Sequence, residues 1–251
     1  MANLAEKDKL EKEFYDIEAQ RYLDDFQKSV FQYDPHEPMP VSHQYFYSQL
    51  ENIQGKKILD MGCGYGFTSV TLAKREGQIT SIDISPKMIA LTKRNAEFNN
   101  VNNSINAFVM SAQSLEFDDN SFDFVVGLGI LHHLNLELAG KEISRVLEPG
   151  GQAIFIEPRI PFKFLIFFRS VFPVKCFESP GGSQITDKEI KRFSAYFSSS
   201  QIEYFLFLNK FSRLSFIKRI DAQLENFDFY LVKKYPFLRK LYWAFVVKVN
   251  K

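Results

Sequence analysis

The stretch Ile58-Leu59-Asp60-Met61-Gly62-Cys63-Gly64-Tyr65-Gly66 decides the fold class. An apolar run ends in a carboxylate, glycines follow at alternate positions, and Thr68 to Lys74 has helix-forming composition. A strand that turns through glycines into a helix gathers backbone N–H groups at one point and lets a ligand approach the chain closely. Two ligand classes fail the pattern. A dinucleotide turn needs G-x-G-x-x-G, and Phe67 stands where its third glycine belongs; a P-loop needs lysine and then serine or threonine after its glycines. Asp60 agrees with both exclusions, because a carboxylate repels phosphate and attracts an ammonium group.

Outward from this turn, short apolar runs alternate with helical patterns between Lys57 and Pro158. Ile79 to Ile84, Ile105 to Met110, Phe122 to Val126 and Ala153 to Ile156 read as strands; Ser85 to Asn99 and Glu137 to Leu147 read as helices. Such alternation predicts a parallel sheet with helices on both faces, joined by right-handed crossovers. Upstream, the first thirty residues read as an acidic amphipathic helix with Leu10, Phe14, Ile17 and Tyr22 at helical spacing. Pro35, Pro38 and Pro40 then break the chain into an extended connector. Downstream, Thr186-Asp187-Lys188-Glu189 is a capping box opening a helix through Phe197.

Composition narrows the function classes. The 251 residues carry a net charge of only +1, which argues against a protein that grips nucleic acid through a broadly basic surface. That balance is a cancellation: residues 1–158 hold 14 Lys/Arg against 23 Asp/Glu, and residues 159–251 hold 17 against 7. The last stretch also holds 16 of the 27 phenylalanines, which marks it as different in task. Cys63 and Cys176 form no zinc-spaced cluster, so no metal site is expected. A charged N-terminus without an apolar leader reads as cytoplasmic, and the basic, aromatic last third leaves room for peripheral contact with a membrane surface.

The glycine turn and the strands and helices downstream of it resemble the class I S-adenosylmethionine-dependent methyltransferases, whose first motif is an acidic residue followed by G-x-G-x-G. The match covers about residues 56–158, with motifs in order. It implies a Rossmann-like α/β fold, a seven-stranded, mostly parallel sheet whose last strand is antiparallel, in a single domain. Residues 1–45 would form a helical cover, 56–158 the cofactor-binding core, 159–200 a substrate lid, and 201–251 C-terminal strands and a helix. Ile202 to Leu208 and Tyr242 to Val249 are the final strands expected on this basis. The resemblance implies S-adenosylmethionine as cofactor, with Asp60 toward its amino group and Gly62, Cys63, Gly64 and Gly66 around its amino-acid end. Asp83, at the end of the second strand and 23 residues after Asp60, would take the ribose hydroxyls beside Ile84. Ser111, Ala112 and Gln113 correspond to the adenine segment, although the family often has an acidic residue where Ser111 stands. Leu128 would touch the cofactor from the fourth strand. Asp118-Asp119-Asn120-Ser121 is turn chemistry before a strand rather than a metal site.

Methyl transfer from a sulfonium is an in-line displacement, so the protein's main work is orientation and exclusion of water. A base is needed only when the nucleophile arrives protonated. His132 and His133, in the loop after the fourth strand, are the base candidates, with a structural capping role open for either. Glu157, at the end of the fifth strand, would orient a substrate group or pair with Arg159. Tyr15 and Tyr22 would close over the sulfonium or pack the helix, and Phe164 and Phe168 would line the substrate lid. The expected acceptor is a small apolar molecule, such as an isoprenoid, lipid or natural-product intermediate, with an anionic group compatible with the basic lid. Methylation of protein or RNA, and a non-catalytic cofactor-binding subunit, are the alternatives.

Overall fold

The computed structural model describes residues 4–158, 185–205, 227, 230–231, 234–235, 237 and 244–251. The N-terminal part forms α1 (Leu4–Leu23), α2 (Phe26–Ser29) and α3 (Val41–Ser48). The glycine turn joins β1 (Lys57–Met61) to α4 (Phe67–Ala73), and β2 (Gln78–Asp83) leads to α5 (Pro86–Phe98). Then come β3 (Ile105–Val109), β4 (Phe122–Leu128), α6 (Leu136–Val146) and β5 (Leu147–Pro158). The described residues end with α7 (Asp187–Ser194), β6 (Ser199–Phe205) and β7 (Ala244–Asn250).

The strands make one seven-stranded sheet in the order β3-β2-β1-β4-β5-β7-β6. Strands β1 to β5 run parallel, and β7 lies antiparallel to both β5 and β6, as expected. Successive residues of each strand feed opposite cores. Leu59, Val125, Phe155 and Val247 face α6 and α7, whereas Ile58, Val126, Ile154 and Val246 face α3 and α4. Near-continuous apolar runs are what a parallel sheet buried on both faces requires. The strand order reverses between β1 and β4, which puts a crevice beyond their carboxyl ends, where doubly wound sheets bind ligands.

Several boundaries differ from those expected. β5 begins at Leu147, which pairs with Phe122; Glu148 to Gly151 form a bulge before pairing resumes at Phe124 and Gln152. The capping box at Thr186 closes in both directions, but α7 stops at Ser194, and Tyr196 beyond it packs on Gly140, where a Cβ would lie 2.6 Å from its ring. The outer strands β6 and β7 are described at Ser199–Phe205 and Ala244–Asn250, so β6 starts earlier, and β7 runs further, than expected. No helix among the described residues is long and apolar enough to cross a membrane.

The largest correction concerns α1. Leu10 and Ile17 are 43% and 59% exposed and Tyr22 is exposed, while Glu11, Glu18 and Ala19 of the other face are buried. The apolar stripe therefore points outward. The reason is what α1 lies against: Tyr15 and Ala19 pack on Met88 and Leu91 of α5, and its other partners are polar groups at the strand ends.

Beyond α2 the chain is pinned to α5 by two buried amides. Asn95 accepts from the Phe31 N–H at 3.0 Å and donates to the carbonyls of Ser29 (3.0 Å) and Tyr65 (2.9 Å). Asn99 accepts from the Tyr33 N–H and donates to the Phe31 carbonyl, both at 2.8 Å. One α5 side chain thus joins the N-terminal connector to the glycine turn. Asn95→Ala would leave several buried backbone groups unpaired, and a loss of about 2 kcal/mol or more in chemical denaturation is expected.

Candidate active site

Gly62, Gly64 and Gly66 all have positive φ, of 66°, 55° and 89°. At Gly64 an added Cβ would meet nothing within 4 Å, so this side of the turn is open to a ligand. The turn itself is fixed from behind. Cys63 N–H donates to Ile82 O at 3.0 Å, and the Thr92 hydroxyl donates to Gly64 O at 2.8 Å. The Cys63 side chain is buried against Thr92, so this residue reaches the crevice only through its backbone.

Two carboxylates flank the turn. Asp60, at 1% exposure, accepts from the Ser69 hydroxyl at 2.6 Å, and Ser69 in turn meets Ser81 at 2.8 Å. Burial raises the Asp60 carboxyl to about 7, with the nearby Asp83 charge adding to the rise. Burial likewise raises Asp83 to about 6, against the opposing hydrogen bonds from Ser85 and Gly64 N–H groups at 2.9 and 3.0 Å. Buried acids of this kind are stabilised in ionised form by a cation or by hydroxyl donors. An amino group at Asp60 and a diol at Asp83 supply these, so the residues present fit S-adenosylmethionine.

Asp60, Gly62, Cys63, Gly64 and Leu128 line one cavity of about 380 Å³. Its outer wall comes from the proline connector and α3, through Glu37, Pro38, Met39, Pro40 and His43. Burial holds the His43 imidazole below its usual range. These wall residues and Tyr65, Phe67 and Thr68 were not among the sequence candidates. The three prolines marked a connector but carried no sign that it folds back over the turn.

The loop after β4 is organised by Glu157, which is fully buried. One carboxylate oxygen accepts from Ile130 N–H (2.9 Å) and Leu131 N–H (2.7 Å); the other pairs with His132 Nδ1 at 2.8 Å. The expectation that Glu157 meets substrate gives way to a positioning role, because its oxygens are engaged by this loop. A carboxylate only accepts, so His132 donates from Nδ1 to Glu157. His133 is more enclosed. Its Nδ1 lies 3.2 Å from Glu11 and its Nε2 3.2 Å from the Tyr15 hydroxyl. Tyr15 therefore meets His133 rather than standing alone over the crevice, and Tyr22 is exposed at the far end of α1.

The nucleoside half of the predicted site lies under α1. Asp8 accepts from Ser111 Oγ at 3.1 Å and from Gln113 Nε2 at 2.9 Å, and Asp16 accepts from Ser85 Oγ at 2.5 Å. Ala112 and Gln113 are buried there and Ile84 is half-buried. Asp8, Glu11 and Asp16 were missed because acidic helix positions ordinarily face water. Their spacing with Tyr15 on one face of α1 was the available signal. Phe164, Phe168 and the rest of the insertion at 162–177 lie outside the described residues.

The raised acid gives a pH prediction. With its carboxyl at about 7 in the fold against 3.8 outside it, Asp60 favours the folded state while protonated. That contribution is present at low pH and is lost as pH rises through about 7. Asp60→Asn keeps a partner for Ser69 without the charge. It should be more stable than wild type by a few kcal/mol at pH 8 and close to it at pH 4, as read by urea denaturation at each pH.

Comparison with known proteins agrees with this geometry. Residues 59–155 match the family model described as a methyltransferase domain. A demethylmenaquinone methyltransferase of Staphylococcus carnosus is 31% identical over 182 residues, covering 68% of this chain and 72% of that relative. One of Chlorobaculum tepidum is 38% identical over 136 residues, covering 50% of this chain and 52% of the relative. The chain thus spans about half the length of that second relative. A solved geranyl diphosphate C-methyltransferase from Streptomyces coelicolor A3(2), in complex with Mg2+, geranyl diphosphate and S-adenosyl-L-homocysteine, shares the fold. Its TM-score is 0.60 at 14% identity, covering 84% of this chain and 78% of that one.

Proposed function

The chain belongs to the class I S-adenosylmethionine-dependent methyltransferases, and on that premise we propose that it methylates a small apolar acceptor of the isoprenoid-quinone kind. The observation that carries this reading is the 31% identity across 72% of a relative named for demethylmenaquinone methylation. A phenylalanine-rich, basic last third is compatible with an apolar acceptor, and with contact at an anionic membrane surface.

The cofactor supplies an electrophilic methyl on a sulfonium whose leaving group is already activated. The chain's residues bind, orient and exclude water. Asp60 receives the amino group, Asp83 the ribose hydroxyls, and the open face of Gly64 admits the ligand to the backbone. Pro38, Met39 and Leu128 give the cavity apolar walls that limit competing hydrolysis. A quinol hydroxyl must lose its proton before its ring carbon or oxygen attacks. His132 Nε2 is the acceptor for that proton, held in the required tautomer by Glu157. His133, bonded to Glu11 and Tyr15, fastens α1.

Calorimetry with S-adenosylmethionine tests the cofactor assignment: wild type binds, and Asp83→Ala binds at least about tenfold more weakly through loss of charged hydrogen bonds. No binding by wild type, or equal binding by the variant, removes the assignment. His132→Ala should lower kcat by about 10²-fold or more with cofactor affinity unchanged. Radiolabelled methyl transfer into fractionated cell extract identifies the acceptor class. Label in the organic-soluble quinone fraction is the expected result; label confined to protein or RNA would overturn the small-molecule reading.

A further inference from the structure

β3 is an edge of the sheet, with β2 on one side and no described strand on the other. Met110 N–H, just beyond it, donates to Asp83 O of β2 at 3.0 Å. Main-chain groups alternate sides along a strand, so Asn106 and Phe108 also face β2, and Ile105, Ala107 and Val109 direct theirs outward. Such a row is a template for another strand, and edges are ordinarily blunted by a charge, a proline or a bulge. None is present here. From Phe98 to Leu115 the sequence holds no Asp, Glu, Lys, Arg, Pro or Gly, in a protein that is 24% charged, and the register with β2 is unbroken. The opposite edge, β6, carries Glu203. Phe108 and Val109, on the two faces of the strand, are 47% and 52% exposed.

We infer that β3 is the interface with a second copy of this chain, paired antiparallel about a two-fold axis at Ala107. That register uses every outward group. Ala107 meets its own copy and Ile105 meets Val109 in both directions, with about six main-chain bonds exchanged. A hollow of about 320 Å³ beside the strand makes the edge self-complementary; Lys93, Ala96 and Glu97 of α5 line it with Asn102 and Ile105. Val109 shares a face with Ile105, so the partner's Val109, set opposite Ile105, enters this hollow. Charge agrees with the same axis. α5 returns antiparallel to the parallel pair β2 and β3, and Lys93 and Glu97 stand exposed one turn apart on it beside the strand. The two-fold axis brings Lys93 of each copy to Glu97 of the other. An unrelated strand would use the outward groups; a second copy also brings Val109 to the hollow and the reversed order of charge.

Sedimentation equilibrium over a concentration series tests the interface on the full chain. Wild type should approach twice the mass of one chain as concentration rises. Val109→Pro removes an outward N–H and the side chain that enters the hollow but no bond to β2, and should weaken association by about tenfold or more. Lys93→Glu and Glu97→Lys should each weaken it by about threefold or more, and the double exchange should restore it. Thermal denaturation identifies the folded variants; if Val109→Pro unfolds, the exchanges at the exposed α5 positions carry the test. A wild type that stays monomeric overturns the inference, including one that associates with a different protein instead. So does a dimer unaffected by folded Val109→Pro, or a double exchange that fails to recover, because the contact then lies elsewhere.

Discussion

The burial of Asp60 is the constraint around which the site is arranged. A carboxylate at 1% exposure, whose described protein partner is a serine hydroxyl, is costly to ionise, and its carboxyl rises to about 7 as a result. An apolar residue at the end of β1 would pack there at no such cost. The glycine turn keeps this acid within reach of the crevice, because the chain leaves β1 through left-handed conformations instead of covering it with a side chain. An ammonium group bound there would offset a penalty already present in the fold. This differs from phosphate-binding glycine turns, where backbone N–H groups carry the attraction and an acid would oppose it.

Glu157 plays a related part on the other side of the switch point. It is fully buried at the end of β5, yet its charge is met by the N–H groups of Ile130 and Leu131 and by the His132 ring. One side chain thereby fixes the path of the loop after β4 and the tautomer of the imidazole the loop carries. Ile130, placed by the same contacts, lies so close to Gly62 and Gly127 that a Cβ at either would fall within 2.7 Å of it. The loop and the glycine turn are therefore fitted to each other. Disturbing Glu157 would reach the glycine turn as well as His132.

How legible this was in the sequence depended on how local each feature is. Asp60, the glycines and Asp83 could be read because strand, turn and helix signals sit within a few residues of them, and the alternation around them predicted the parallel sheet. Glu157 was noticed as a strand-end acid, but its partners lie some 25 residues away and no pattern announced them. The orientation of α1 was misread for a physical reason. Periodicity reports which residues share a face, and the usual rule sends the apolar face inward. Here the helix rests on strand ends rich in hydrogen-bonding groups, so Asp8, Glu11, Tyr15 and Asp16 turn inward and Leu10 and Ile17 outward. A wall built from Pro38, Met39 and His43 required a long-range fold-back that only the structure reveals.

The N-terminal segment is consequently held in two different ways. From Ser29 to Tyr33 it is tied to α5 by the buried amides of Asn95 and Asn99, whose loss would leave backbone groups unpaired in a dry interior. Ahead of it, α1 is held mostly by side-chain pairs at the mouth of the crevice, together with a small apolar contact of Tyr15, Ala19 and Leu23 on Met88 and Leu91. The Glu11–His133 pair is buried, whereas the pairs of Asp8 with Ser111 and Gln113 and of Asp16 with Ser85 are only part-buried. The connector is thus tied to α5 by buried amides, and α1 is held by side-chain pairs at the strand ends and a small apolar contact. The carboxylates of this cover accept from serine, glutamine and histidine donors of the protein. The negative balance of residues 1–158 therefore includes acids turned inward at the crevice, Asp8, Glu11, Asp16, Asp60 and Asp83, as well as those that keep the surface hydrated.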